Sequence, residues 1–159
     1  MSFPAPFEHA GGQVLPGWID YNGHLNLAYY IVLFDQATDA LFDALDLGLD
    51  YRRRRNLGTF VVETHIRYER ELLVDERVRV TTQLLAADDK RLHIAHEMFR
   101  LDGGERCATQ ELLFLHVSLV TRRVVPFPPP LKARVEALFA AHSVLPRPDW
   151  VGRRVGMPR

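Results

Sequence analysis

Residues 20–47 read DYNGHLNLAYYIVLFDQATDALFDALDL, a polar segment followed by a run with helical spacing of its apolar side chains. The apolar positions are Tyr30, Phe34, Ala37, Leu41 and Leu45, while Asp35, Asp39 and Asp43 recur every four residues on another face. This pattern predicts one amphipathic helix over residues 27–47, about five turns long. Asn22 or Asn26 can cap its start, and Gly48 can supply the left-handed residue that ends it.

The period of the apolar pattern changes from helical spacing to simple alternation after residue 58, which is typical of β-strands. The alternating apolar or aromatic positions are Phe60, Val62, Thr64, Ile66 and Tyr68, and then Val78, Val80, Thr82 and Leu84. Asp and Gly at 88–90 and 102–105 favour hairpin turns, so residues 75–120 are predicted to form an antiparallel meander. The prolines at 126–130 end the sheet, and a short helix is expected over residues 131–141.

Together with one early strand, these elements predict an α+β fold, because a lone apolar helix needs a sheet to cover it. We expect an antiparallel sheet of five or six strands wrapped around one long central helix. A chain of 159 residues with 47% apolar content suits a single domain, placed here at residues 1–145. The tail at 146–159 has too little periodic apolar content to pack by itself, so we expect it to be draped over the surface or disordered.

The charge balance excludes some classes of partner, because Lys+Arg and Asp+Glu both number 20. We therefore expect no nucleic-acid partner and no membrane partner. The one cysteine, Cys107, cannot form an intrachain disulfide, and no cationic start precedes a long apolar run. These features favour a cytoplasmic protein.

The polar segment before the helix has an unusual density of chemically capable side chains. Asp20, Asn22, Gly23, His24 and Asn26 all lie within seven residues at the entry to the helix. A helix cap needs only one Asn or Asp, so capping accounts for one or two of them and leaves the others available for chemistry.

This segment, with the aromatic pair 29–30 and the residues 34–37 after it, resembles the 4-hydroxybenzoyl-CoA thioesterase group over about residues 12–125. The spacing of Asp20, Asn22, His24 and Asn26 is also similar to that of plant acyl-ACP thioesterases. Both groups have the hot-dog fold. The resemblance implies an acyl-CoA thioesterase, with coenzyme A entering as part of the substrate and no other cofactor.

In such an enzyme Asp20 acts as general base on a water, or as the nucleophile that forms a mixed anhydride. Asn22 can orient the water or bind the thioester carbonyl, and His24 either donates to the oxyanion or anchors the turn. Gly23 permits a tight turn, and the backbone N–H groups around Asn26 and Leu27 are candidates for stabilising the oxyanion.

Aromatic residues around the segment are candidates for the acyl pocket, namely Trp18, Tyr21, Tyr29 and Tyr30. The sequence of residues 18–24 resembles that of the betainyl-CoA thioesterases of carnitine breakdown. Aromatic faces can hold the trimethylammonium group of such a substrate by cation–π attraction. Glu63 lies on the same strand face as His65. It could bring a second carboxylate to the site of this or a neighbouring subunit, although a solvated strand face explains it as well.

Four arginines at 52–55 are predicted to follow the helix C-terminus, where cations interact favourably with the helix dipole. Alternatively they bind the phosphates of coenzyme A, with Arg122, Arg123 and the tail arginines as rivals. His93 and His96 are three residues apart in a strand and point to opposite faces, so we predict no metal site. Cys107 is expected to be a small buried residue rather than a nucleophile.

Two other functions compete with thioester hydrolysis. An (R)-specific enoyl-CoA hydratase of the same fold resembles Asp-x-Asn-Pro-x-His, but here the proline is missing and His24 is one residue closer to Asp20. A non-catalytic acyl-CoA-binding protein is the second alternative, since a fold does not guarantee activity. In each case an open sheet edge predicts a homodimer, and two dimers could pair into a homotetramer.

Overall fold

A computed structural model describes residues 1–158 of the chain. Its elements are β1 (Phe7–Gln13), a 3-10 turn (Pro16–Trp18), α1 (Leu27–Ala44), α2 (Leu49–Arg55), β2 (Leu57–Tyr68), β3 (Arg77–Ala87), β4 (Arg91–Arg100), β5 (Arg106–Ser118) and α3 (Pro129–His142). The strands form one antiparallel sheet in the order β1-β3-β4-β5-β2. The α+β prediction with five strands is confirmed. No helix within residues 1–158 is long and apolar enough to cross a lipid bilayer.

Helix α1 packs on one face of the sheet, which we call the inner face. The five apolar positions predicted for its buried side are all buried, namely Tyr30, Phe34, Ala37, Leu41 and Leu45. They meet inward side chains of the strands, such as Val80, Ile94 and Leu112, in two adjoining core clusters. Each large apolar side chain buried in this way stabilises the fold by about 1.5–3 kcal/mol. The Asn26 side chain caps the helix by accepting a hydrogen bond from Ala28 N–H at 3.0 Å.

The end of α1 differs from the prediction. The helix stops at Ala44, and the left-handed residue is Asp46, with φ of 55°, whereas Gly48 is extended and precedes α2. The arginines at 52–55 therefore form the last turn of α2, a separate helix that the pattern did not predict. A second left-handed residue, Asn56, ends α2 and turns the chain into β2.

A buried polar contact crosses from α1 to the sheet at His96. Its two ring nitrogens lie 3.0 Å from Thr38 Oγ1 and 2.8 Å from Thr82 Oγ1. Burial lowers the pKa of His96 to about 3, so this ring is neutral in the folded protein. His93 points to the opposite, outer face, where it lies 2.7 Å from Glu111. The opposite orientation predicted for the two histidines is confirmed.

The C-terminal tail is packed on the outer face of the sheet. Trp150 is only 3% exposed, and its indole N–H donates to Glu97 Oε1 at 2.8 Å. Gly152 N–H donates to Glu111 Oε2 at 2.7 Å. Periodicity could not reveal this packing, because one aromatic side chain and two hydrogen bonds hold a segment that has no regular secondary structure.

Candidate active site

The backbone around Asp20 forms a tight turn between the 3-10 turn and α1. Asp20 N–H donates to the carbonyl oxygen of His24 at 3.1 Å, and Gly23 N–H donates back to that of Asp20 at 3.0 Å. Gly23 has φ of 81°, a conformation that a residue with a Cβ adopts only with strain. Leu25 N–H then donates to the carbonyl oxygen of Leu72, which fixes the turn to the segment after β2.

The Asp20 carboxylate is held by one donor on each oxygen. Asn22 N–H donates to Oδ1 at 2.8 Å, and the Asn26 amide donates to Oδ2 at 3.3 Å. An ionised carboxylate has about four acceptor positions, so both oxygens keep capacity for a further donor such as water. This arrangement orients the carboxylate and leaves it competent to accept a proton or to attack a carbonyl carbon.

The first backbone donors of α1 divide into occupied and available groups. Asn26 N–H is already bonded to the carbonyl oxygen of Trp18 at 2.9 Å, and Ala28 N–H to the Asn26 side chain. Within residues 1–158, Leu27 N–H has no hydrogen-bond partner. Of the two predicted N–H groups, that of Asn26 is therefore occupied, and that of Leu27, at the positive end of the helix dipole, stays the candidate oxyanion donor.

His24 makes the anchoring contact that was one of its two predicted roles. Its Nδ1 lies 3.1 Å from the carbonyl oxygen of Leu25. A carbonyl oxygen can only accept, so Nδ1 is the donor in this contact, and donation to an oxyanion from Nε2 stays a prediction.

A cavity of about 310 Å³ opens beside Asp20. It is lined by Asp20, Asn22, His24, Leu25, Leu27 and Tyr30, and by residues 68–71. The Tyr30 and Tyr68 rings meet edge to face with centroids 5.0 Å apart. Burial raises the pKa of Tyr30 to about 12, and its hydroxyl donates to the carbonyl oxygen of Arg70 at 3.0 Å.

The other predicted pocket aromatics lie outside this cavity. Trp18 and Tyr29 stack on each other with centroids 5.1 Å apart, at an interplanar angle of 10°, and pack against the core. Tyr21 is 98% exposed. The aromatic lining is therefore corrected to Tyr30 and Tyr68. The sequence pattern placed Tyr68 on a strand but gave no sign that its far end returns to Asp20.

Glu63 does not meet Asp20 within one chain. It lies on the outer face and lines a separate cavity of about 440 Å³ with His65, His93 and Glu111. That cavity is the larger of the two, but the smaller one is lined by the polar segment that contains Asp20, Asn22 and His24. We therefore assign the site to the Asp20 cavity, and substrate binding by Glu63 stays a prediction that requires a neighbouring subunit.

The arginines of α2 also lie away from Asp20. They follow the far end of α1, whose 18 residues span about 27 Å. Arg54 pairs with Asp46 at 2.8 Å, and Arg53 lies 3.7 Å from Asp50. The guanidinium of Arg122 lies 6.0 Å from the centre of the ring of Phe60, a residue of the edge strand β2. Phosphate binding by any of these arginines stays a prediction.

Comparison with known proteins identifies the family. The thioesterase-like superfamily matches residues 14–135, which is more than half of the chain. The chain belongs to this superfamily. The betainyl-CoA thioesterase of Pseudomonas aeruginosa is 46% identical over 147 residues, which cover 91% of each chain. The L-carnitine dehydrogenase/betainyl-CoA thioesterase of Rhizobium meliloti is 32% identical over 97% of this chain and 31% of its own length.

Solved structures show the same fold. A Staphylococcus aureus protein in complex with CoA superimposes with a TM-score of 0.89, at 24% identity and 99% coverage of both chains, which shows the shared fold. The 1,4-dihydroxy-2-naphthoyl-CoA thioesterase of Synechocystis gives a TM-score of 0.71 over 84% of this chain and 96% of its own, at 16% identity. The expected hot-dog fold and the expected acyl-CoA thioester hydrolysis are both confirmed.

Proposed function

We propose that this thioesterase hydrolyses betainyl-CoA. In this proposal Asp20 either activates the attacking water or itself attacks the thioester carbonyl. The observation that carries the proposal is the oriented Asp20 carboxylate in a cavity that also holds two tyrosine rings. A trimethylammonium group is attracted to aromatic faces. Tyr68 lines the cavity and is 46% exposed, so it is the ring open to such a group, whereas Tyr30 is buried. The likeness to a betainyl-CoA thioesterase at 46% identity supports the same substrate.

Hydrolysis can use the Asp20 carboxylate by either of two routes. As general base it takes a proton from a water that attacks the thioester carbonyl. As nucleophile it attacks that carbonyl itself, expels the CoA thiolate and forms an anhydride that water then cleaves. In both routes negative charge develops on the carbonyl oxygen, and Leu27 N–H at the start of α1 is the donor available to stabilise it.

Replacing Asp20 tests the catalytic assignment. We expect Asp20→Asn to lower kcat for thiol release from betainyl-CoA by about 10²–10⁴-fold, because an amide can neither accept the proton nor attack. The matched control is Asp35→Asn, the same change on the exposed side of α1. If Asp20→Asn released thiol at the wild-type rate, Asp20 would not be required for the reaction.

A panel of acyl-CoA substrates tests the choice of substrate. We expect betainyl-CoA to be hydrolysed faster than an uncharged acyl-CoA of the same shape. Equal values of kcat/KM for the two substrates would contradict the proposed substrate, but the assignment as a thioesterase would remain valid.

We further infer a homodimer formed through β2, which is an edge strand of 12 residues. Phe60, Val61 and Val62 are about half exposed on it, at 45%, 46% and 52%. An exposed apolar edge with unpaired backbone groups is a favourable surface for a second copy of the chain. Assembly into a homotetramer and a cytoplasmic location stay predictions.

A further inference from the structure

The small size of a betainyl group restricts where its charge can be recognised. Its nitrogen is separated from the thioester carbonyl carbon by one methylene, the same connectivity as N–Cα–C in a peptide, so the two atoms lie about 2.5 Å apart. A side chain that recognises this charge must therefore line the same cavity as Asp20. The requirement holds for betainyl-CoA and so rests on the proposed function.

Three carboxylates line that cavity, namely Asp20, Glu69 and Glu71. Asp20 is assigned to the reaction. Glu69 is already neutralised, because Arg106 donates to its two oxygens at 2.8 and 3.0 Å. Glu71 differs from both, since its carboxylate has no hydrogen-bond or salt-bridge partner within the described residues 1–158.

The position of Glu71 suits a cation held against the Tyr68 ring. Both residues line the cavity and are exposed to solvent there. Burial is the main cause of the raised pKa of Tyr30, and the Glu71 charge is the smallest contribution to it. Arg70 also lines the cavity; its guanidinium keeps its charge and donates to the carbonyl oxygen of Arg106 at 3.1 Å, not to Glu71. The Glu71 carboxylate, which makes no such bond, attracts a quaternary ammonium.

We infer that Glu71 determines specificity for a positively charged acyl group, by facing the trimethylammonium of the substrate across the Asp20 cavity from within the segment that follows β2. Glu71 takes no part in bond making or breaking. It lowers the free energy of the cationic substrate in the site relative to a neutral one of equal shape.

Two substrates of equal shape test this role, betainyl-CoA and 3,3-dimethylbutanoyl-CoA, in which a carbon replaces the nitrogen. We expect Glu71→Gln to lower kcat/KM for betainyl-CoA about fivefold, the effect of one partly screened charge, with the neutral substrate unchanged. Glu71→Asp should keep most of the preference. The control Glu136→Gln removes the same charge from an exposed position on α3 and should change neither value.

The neutral substrate separates specificity from folding, because a misfolded variant loses both activities together. If wild type prefers betainyl-CoA and Glu71→Gln prefers it equally, the inference about Glu71 is wrong and the proposed function stands. If wild type itself does not distinguish the two substrates, the proposed substrate is wrong and the role of Glu71 falls with it.

Discussion

Asn26 performs two tasks with the two ends of one side-chain amide. Its oxygen accepts from Ala28 N–H and caps α1, and its nitrogen donates to Asp20 Oδ2. The start of the helix and the orientation of the reactive carboxylate are therefore coupled through a single residue. The sequence offered Asn22 or Asn26 as the cap, because residue type and position suffice for that, and the structure shows that it is Asn26. The bond to Asp20 depends on the path of the turn.

Two substitutions separate these tasks. Asn26→Ala should lower the free energy of unfolding by about 1 kcal/mol, the usual effect of losing a cap, and should also lower kcat. Asn26→Ser keeps a capping oxygen but cannot reach back as an amide donor, so stability should recover while kcat stays low. Urea unfolding and thiol-release kinetics on both variants provide the measurements. Full recovery of kcat in Asn26→Ser would show that the bond to Asp20 is dispensable.

At the scale of elements, the sheet has a helix on its inner face and the C-terminal tail on its outer face. The tail is connected to the site wall by side chains, because Trp150 donates to Glu97, and Glu97 also accepts from Arg106 at 2.6 Å. Arg106 in turn binds Glu69, which lines the Asp20 cavity. An element without periodicity thus supports residues near the site.

Truncating Trp150 should measure what the tail contributes. We expect Trp150→Ala to lower the free energy of unfolding by about 3 kcal/mol, because a buried aromatic side chain is removed. Trp150→Phe should cost about 1 kcal/mol, since packing is kept and the hydrogen bond to Glu97 is lost. Denaturant unfolding provides both values, with Val155→Ala as control at a tail residue that is 92% exposed. A Trp150→Ala variant as stable as this control would contradict the packing.

For the whole molecule, the open edge at β2 is the feature that a second copy would complete. Val62→Lys places a charge on that edge and should shift the protein from dimer to monomer, with a lower thioesterase activity. Light scattering after gel filtration measures the mass. Val120→Lys, at a turn residue that is 75% exposed, should leave the mass unchanged. A monomeric wild type with full activity would refute the dimer.

The sequence by itself determined most of the secondary-structure elements and the thioesterase family. Apolar spacing fixed the buried side of α1 and the alternating strands, because burial against a single layer imposes a period on the chain. The clustering of Asp20, Asn22, Gly23 and His24 was enough to predict the candidate site, because these residues are neighbours along the chain as well as in space.

Tertiary structure decided everything that depends on distant segments meeting. Tyr68 and Glu71 line the Asp20 cavity only because the end of β2 lies next to the start of α1. The local sequence around these two residues does not predict that contact. The fold likewise left Tyr21 in solvent, turned Glu63 to the outer face and occupied Asn26 N–H with Trp18. Local spacing defines which face of an element is buried, but the contacts between faces depend on the packing of the whole sheet.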